Sequence, residues 1–335
     1  MCRRFVKPVS LVLILMLVLS LAGCMGDTDF FLESTSSKSV AGSTSASSAA
    51  YVRTDFDVLK YPYFGMLDDA EKDAYSLVYE ELSKGNKKFE CRVGINSEQL
   101  TRVVDAVLDD HPELFWIDNN YGYTFEPGTG NIRELTFTFF DFADTPEKLA
   151  SAQTQFNSAT LTVVTQALDL GTAVERELFI HDYICQNTVY DATGPYNQSA
   201  YSVLVLHKSV CAGYTRAFQH LMQKVGLTCY YVPGRTDGLD IQGDPDSPED
   251  GSHSWNIVFI GGDYYNVDCL WDDTASETYG QSIYPFFNIP DESLLHHARI
   301  DMARSLPRCT ATEYKYSNQF GPTIEAESIV FSDAG

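Results

Sequence analysis

The sequence has few basic residues for its length. Its 335 residues include 23 Lys and Arg against 46 Asp and Glu, which gives a formal net charge of −23. Nucleic acids and anionic lipid headgroups are bound by surfaces that present positive charge. The deficit of cations therefore argues against nucleic acid as a partner. The acidic charge is suited to basic surfaces or peptides as partners. It is also explained by the solubility that an exported acidic protein needs.

The sequence also lacks any CxxC pair, although it contains eight cysteines. Structural zinc sites and disulfide-exchange proteins commonly use that spacing. We therefore predict no metal and no cofactor, and a disulfide-handling role is disfavoured. Cys2 precedes the main part of the chain, while Cys24 and Cys211 stand in motifs of their own. We expect most of the other five to be buried thiols, although export would permit a disulfide whose pairing is left open.

No apolar run is long enough to be a clear membrane-spanning helix. The longest, residues 9–21, falls short of the roughly 20 apolar residues that such a helix needs, and Arg3, Arg4 and Lys7 precede it. Residues 21–24 (LAGC) then resemble the lipobox of bacterial lipoproteins. That resemblance implies cleavage before Cys24 and di- or triacylation of this cysteine, with palmitate as a typical acyl group. A plain secretory signal and an uncleaved anchor are the alternatives.

These features predict four segments. Residues 1–23 form a lipoprotein signal peptide, and residues 24–50 form a Ser/Thr-rich flexible tether. Residues 51–142 form an N-terminal α+β unit, and residues 143–335 form the main domain, with its core at 170–290. The expected location is outside the cytoplasm, on the bacterial cell membrane, through the lipid on Cys24. A cell-wall partner of unknown identity fits this location.

Apolar periodicity predicts the elements of the N-terminal unit. Helices are expected at residues 67–82 and 97–109, with Ser97 as N-cap, and a strand at 87–93. Residues 122–140 alternate around a Pro-Gly-Thr-Gly turn, which predicts a hairpin. No catalytic grouping stands out here, so we expect a pro-like, scaffold or partner-contact role.

Two helices are expected at the start of the main domain, at residues 146–170 and 175–186. His181 and Asp182 lie on the second helix. A metal or acid–base role is possible for them, and a structural or surface role is favoured. An apolar stretch at 201–206 then leads to Cys211.

Cys211 stands where a helix is expected to begin. Apolar residues recur at helical spacing from Ala217 to Val225, and Gly226 ends the pattern. Unpaired backbone N–H groups and the helix dipole favour a thiolate at this end, and the same N–H groups could hold an oxyanion. Gly213 would let a substrate or a neighbouring backbone come close. Simple burial of a lone cysteine is the alternative.

A hairpin downstream supplies a histidine and a carboxylate. Residues 255–260 and 264–270 read as two strands around Gly261 and Gly262. With this turn, residue 260 opposes 263, and His253 and Asp268 become diagonal neighbours on one face. A turn shifted by one residue would separate them. The predicted pair would activate the Cys211 thiol, because an imidazole oriented by a carboxylate can take its proton.

Three motifs together resemble the transglutaminase-like superfamily, whose fold is papain-like. They are Cys-x-Gly-Tyr at residues 211–214, His-Ser-Trp-Asn at 253–256 and Val-Asp-Cys-Leu-Trp-Asp-Asp at 267–273. The resemblance covers about residues 170–290 and implies an α+β fold with a nucleophile helix packed on an antiparallel sheet. Ser254 replaces the usual Ala, and Cys269-Leu270 replaces a common Val-Thr or Pro-Thr. Neither departure removes a catalytic group.

The resemblance implies Cys211 as nucleophile, His253 as general base and then acid, and Asp268 as the residue that orients the histidine. Tyr214 and Trp255 are assigned to substrate binding. The expected activity is cleavage or transfer of amide bonds in protein or peptide substrates through a thioester, with proteolysis preferred over cross-linking. The alternative is a non-catalytic envelope binding or assembly module on the same fold.

Three other polar groups are weaker candidates for a functional site. An acidic loop at residues 240–250 could bind calcium, but it lacks EF-hand spacing and fits a solvated loop. His296 and His297 could bind a metal, but adjacent histidines on the surface of a helix usually do not. Asp272 and Asp273 are expected in a structural turn.

Overall fold

The computed structural model describes residues 51, 53–236 and 251–329. The predicted signal peptide, the tether with Cys24 and most of the acidic loop lie outside these residues. Within the described ranges, none of the helices combines the length and the apolar character needed to cross a membrane.

The N-terminal elements form a three-stranded antiparallel sheet with helices beside it. The strand order is β1-β3-β2. The elements are α1 Pro62–Gly65, α2 Asp69–Ser83, β1 Lys88–Glu90, α3 Ser97–Asp110, β2 Ile117–Phe125 and β3 Ile132–Phe139. Both predicted helices and the hairpin are confirmed. The predicted cap of α3 is wrong by one residue, because Asn96 accepts the Gln99 N–H at 3.0 Å in a capping box.

The rest of the described chain builds a four-stranded antiparallel sheet with helices packed against it. The strand order is β8 (Asp263–Val267), β7 (Ser252–Ile260), β6 (Thr228–Thr236) and β9 (His297–Arg299). The elements of this part of the chain are α4 Pro146–Leu168, α5 Ala173–Asn187, β4 Val189–Tyr190, β5 Lys208–Ser209, α6 Cys211–Lys224, β6 Thr228–Thr236, β7 Ser252–Ile260, β8 Asp263–Val267, α7 Cys269–Tyr279, β9 His297–Arg299 and α8 Tyr316–Gln319. The apolar stretch before Cys211 is a π-helix, Ser202–Leu206.

The predicted hairpin register is confirmed, but the predicted return strand is too long. Ile260 pairs with Asp263, and the turn glycines Gly261 and Gly262 have φ of 64° and 99°. The ladder ends where Asn256 pairs with Val267. Asp268 then leaves the sheet and caps helix α7, which begins at residue 269. Residues 268–270 alternate as a strand would, but the side-chain cap turns the backbone into a helix.

Helix α6 packs on the sheet through its apolar face, and side-chain hydrogen bonds fix it there. Ala217, Phe218, Leu221 and Met222 are each fully buried. The Asn256 amide on β7 donates to the carbonyls of Thr215 on α6 and Tyr230 on β6, both at 3.1 Å. The fold is therefore α+β, with the Cys211 helix on an antiparallel sheet and a small α+β region before it.

The N-terminal region and the main sheet share one hydrophobic core. The Tyr63 hydroxyl donates to the carbonyl of Tyr231 on β6 at 2.7 Å, and the Tyr230 hydroxyl donates to the Leu59 carbonyl at 2.8 Å. The domain boundary at residue 142 stays a prediction. The contacts join the two regions along β6.

Candidate active site

Cys211 is the first residue of α6 and is partly buried. Val210, the N-cap residue, gives the helix no side-chain cap. The N–H groups of Gly213 and Tyr214 both donate to the Val210 carbonyl, at 3.0 and 3.2 Å. These two N–H groups are therefore used within the helix and do not supply the predicted oxyanion contacts. The helix dipole still favours a thiolate at this position.

The close approach predicted at Gly213 is confirmed. A Cβ at this residue would lie 1.8 Å from Ser209 Oγ and 2.9 Å from the Asn197 carbonyl oxygen. The Ser209 hydroxyl itself donates to that carbonyl at 2.6 Å. The loop before Cys211 is thus pressed against the first turn of α6, and this contact fixes the direction in which the helix begins.

His253 and Asp268 meet as the hairpin register predicts. The His253 Nε2–H donates to Asp268 Oδ2 at 2.6 Å, and both side chains are buried. Asp268 Oδ1 accepts the Trp271 N–H at 3.0 Å, so the same carboxylate caps α7. The His253 ring also acts on Cys211, whose thiol pKa it lowers. Because Nε2 is bound to Asp268, Nδ1 is the nitrogen left for the thiol.

Burial and charge act against each other on the pKa values of these three groups. Burial raises the pKa of the Cys211 thiol, but the hydrogen bond and charge of His253 outweigh it and the pKa falls below its usual 9.0. Burial lowers the pKa of His253, but Asp268 raises it to about 10. Burial raises the pKa of Asp268, whereas His253 and His297 hold it well below its usual range. The balance favours a thiolate beside an imidazolium.

His297 contacts the same carboxylate, and this contact was not predicted. It lies on strand β9, so the expected position on a helix surface is wrong. Its Nε2 lies 3.0 Å from Asp268 Oδ2, its Nδ1 lies 2.9 Å from the Leu295 carbonyl oxygen, and its side chain is 0% exposed. His297 follows Asp268 by 29 residues. No local pattern signals the pairing of β9 with β6 that brings it there.

The two residues assigned to substrate binding lie beside the site and are buried. Trp255 is 1% exposed, stands parallel to the His253 ring at 6.2 Å and donates from Nε1 to Asn266 Oδ1 at 3.1 Å. Tyr214 is also 1% exposed and donates to Asp273 Oδ2 at 2.8 Å. Their role in binding a substrate stays a prediction.

A second buried histidine–carboxylate pair links α5 to α7. His181 Nε2 lies 3.0 Å from Asp272 Oδ2, and Asp272 Oδ1 accepts the Phe286 N–H at 2.8 Å. Asp272 and Asp273 lie in helix α7, so the expected turn at these residues is wrong. The position of His181 between two helices agrees with the structural role favoured for it.

His253, Asp268 and His297 are also grouped closely enough to suggest a metal site, since their ligand atoms lie within 4.8 Å of one another. Zinc bonds of roughly 2.0–2.1 Å hold tetrahedral ligand atoms about 3.3 Å apart. The separations of 2.6 and 3.0 Å to Asp268 Oδ2 are shorter and match hydrogen bonds. Protons rather than a metal ion account for this cluster.

Comparison with known protein families covers the first two motifs and the start of the third. Residues 162–269 match the model of the transglutaminase-like superfamily, and this segment includes Cys211, His253 and Asp268. The chain therefore contains a transglutaminase-like domain, as the three motifs predict.

The similar proteins are distant. Kyphoscoliosis peptidase of Homo sapiens is 29% identical over 112 residues, which cover 32% of this chain and 17% of that protein. Its Mus musculus counterpart is 28% identical over 110 residues, which cover 31% and 17%. A solved structure described as a TGase shares 12% identity over 54% of this chain and 50% of that chain, with a TM-score of 0.30.

Proposed function

We propose that this protein is a cysteine enzyme that cleaves or transfers amide bonds of protein or peptide substrates, with hydrolysis preferred. One observation carries the proposal. A partly exposed thiol at a helix start has its pKa lowered by a buried histidine, and Nε2 of that histidine is bound to a buried carboxylate. This arrangement suits nucleophilic catalysis, because the thiolate is the reactive form and the imidazolium supplies a proton.

The proposed reaction is acyl transfer through Cys211. The thiolate attacks the amide carbonyl carbon and forms a tetrahedral intermediate. As the C–N bond breaks, His253 gives its Nδ1 proton to the leaving amine, and a thioester remains. Water, deprotonated by His253, then attacks the thioester and releases the acid and the thiolate. An amine in place of water would give transfer.

Selective alkylation of Cys211 tests the proposal. The rate of iodoacetamide addition would be followed by peptide mass spectrometry from pH 5 to pH 10, in the parent protein and in His253→Ala. We expect the parent Cys211 to react well below the usual thiol pKa, and His253→Ala to lose that reactivity. Cys211→Ala, incubated with a peptide library, controls for amide cleavage by other groups. A parent Cys211 as slow as an ordinary exposed thiol would contradict the enzyme and favour a binding or assembly module.

We further propose that the chain is held outside the cytoplasm by a lipid on Cys24. The sequence of the leader supports this proposal. Expression of the full chain in bacteria with a radiolabelled fatty acid should label the parent protein, and Cys24→Ala should abolish the label. Equal labelling of both proteins would overturn the anchor.

A further inference from the structure

His297 brings a third side chain to the proposed catalytic dyad from a distant part of the sequence. Strand β9 pairs antiparallel with the end of β6, where His297 opposes Thr236 and Arg299 opposes Gly234. This register points the His297 ring at the carboxylate that His253 also uses. The contact is made by the C-terminal part of the domain, beyond the three motifs.

Both histidines bind the same oxygen of Asp268. His253 Nε2 lies 2.6 Å and His297 Nε2 lies 3.0 Å from Asp268 Oδ2. An ionised carboxylate only accepts hydrogen bonds, so each contact needs an N–H on Nε2. Two N–H donors share the negative charge of this oxygen. Each hydrogen bond is therefore weaker than it would be if the other donor were absent. His297 thus reduces the basicity of the group that holds the His253 proton.

The surroundings of His297 keep its ring in place and dry. The ring stands edge-on to Trp255 at 5.0 Å and to Trp271 at 4.1 Å, and its centroid is 5.2 Å from that of His253. Among the described residues, His253 on β7 and Asp268 at the start of α7 are the titratable groups that face it. Arg299, on its own strand, is engaged with Asp291 at 2.7 Å. Burial and the like charge of His253 lower the pKa of His297 and favour the neutral ring, which has a single N–H. With that N–H on Nε2, the Leu295 carbonyl oxygen 2.9 Å from Nδ1 receives no hydrogen bond from the ring.

We propose that His297 is a positioning residue of the active site. Its Nε2–H shares Asp268 Oδ2 with His253 and keeps the His253 proton transferable to the leaving amine. The role rests on the proposed function. A general acid works best when its pKa is near the working pH. Asp268 already raises the pKa of His253 to about 10, and a carboxylate without the second donor would raise it further. His297 therefore tunes His253 through Asp268, without touching the substrate.

The test measures the protonation of His253 directly, so it does not depend on turnover. Ring ¹⁵N signals of labelled histidine would be followed against pH in a Cys211→Ser background, with His253→Gln used to assign the signal. We expect His297→Leu to raise the pKa of His253 by about one pH unit. His297→Gln, which keeps an N–H donor, should hold it near the parent value. His296→Asn, at the exposed neighbour with φ of 66°, is the matched control.

A second measurement uses the unaltered chain and needs no folded variant. The ¹⁵N shifts of His297 near neutral pH should show its proton on Nε2. A proton on Nδ1 alone would mean that Leu295, not Asp268, receives the hydrogen bond, and the proposal would fail.

The outcomes separate the inference from the proposed function. If the parent Cys211 is not activated, the enzyme proposal fails, whatever the His253 titration shows. If Cys211 is activated but His253 titrates alike in the parent, Leu and Gln proteins, His297 is only a packing residue. A merely structural role would also make the Gln and Leu variants equally defective, since neither retains the ring.

Discussion

The Asp268 side chain both caps a helix and binds two histidines. Oδ1 caps helix α7, and Oδ2 binds His253 and His297. Asn is as good an N-cap as Asp, whereas Ala is not. The charge and the cap can therefore be removed separately.

We expect Asp268→Asn to keep α7 but to lose the charge that raises the pKa of His253. Alkylation of Cys211 near pH 7 should then slow by about tenfold or more, because each pKa unit is a factor of ten in the protonation equilibrium. Helix content by circular dichroism should match the parent. Asp268→Ala, the comparison variant, should in addition lose about 1 kcal/mol of stability with the cap. Undiminished alkylation in Asp268→Asn would show that the carboxylate charge is not needed.

The buried carboxyl group of Glu177, away from the active site, predicts how protein stability depends on pH. It is fully buried on α5, accepts the Asn288 amide at 2.9 Å, and burial raises its pKa to about 8. Glu177 Oε1 and Asn288 Oδ1 have no hydrogen-bond donor among the described residues. The folded protein therefore retains a proton that the unfolded chain releases near its ordinary pKa, about 4.3. Stability from this group falls as pH rises from about 4 to 8.

Glu177→Gln should remove that dependence. A neutral amide carries no ionisation cost, and it replaces the unpaired Glu177 oxygen with an N–H near Asn288 Oδ1. In urea unfolding, the stability of Glu177→Gln relative to the parent should increase by about 3 kcal/mol from pH 5 to pH 8. The same difference between the two proteins at pH 5 and at pH 8 would mean that the pKa of Glu177 is not raised in the folded protein.

At the scale of elements, the start of α6 depends on the absence of a side chain at Gly213. A methyl group there would meet Ser209 and the Asn197 carbonyl, and the carbonyl is backbone that cannot swing away. Gly213→Ala should therefore destabilise the protein by about 1–3 kcal/mol and displace Cys211. Urea unfolding and Cys211 alkylation measure the two effects. Gly122→Ala is the matched control, because nothing lies within 4 Å of its Cβ position.

Elements whose pattern is local were predictable from the sequence. Helices α2, α3, α4 and α5 follow apolar periodicity, and the two glycines fix the β7–β8 register that joins His253 to Asp268. The end of β8 was missed, because residues 268–270 alternate like a strand while the Asp268 side chain caps a helix. His297 was missed because its place depends on β9 pairing with β6, which no spacing within the sequence encodes.

At the scale of the molecule, the N-terminal region is tied to the sheet that carries His253. Tyr63 and Tyr230 bond across this junction, and the Gln219 amide of α6 donates to the Asp109 carbonyl of α3 at 2.8 Å. The described residues fall into a single compact unit. We therefore expect residues 49–335 to unfold in one cooperative transition by calorimetry.

Tyr63→Phe should lower the midpoint of that single transition without splitting it, at a cost of about 1 kcal/mol for the lost hydrogen bond. Tyr123→Phe, at a residue that is 44% exposed, should leave the midpoint unchanged. Two separate transitions in the parent would contradict one folding unit and support a boundary near residue 142.

Because β9 lies late in the sequence, His297 is synthesised after the residues that it contacts. A growing chain carries Cys211, His253 and Asp268 well before it carries His297, and β9 joins the sheet through only three residue pairs. The last neighbour of Asp268 thus arrives after the nucleophile, base and orienting residue have all been synthesised. An emerging or shortened polypeptide would hold the thiol and its two partners yet lack the tuning proposed here, so full reactivity would belong only to the finished chain.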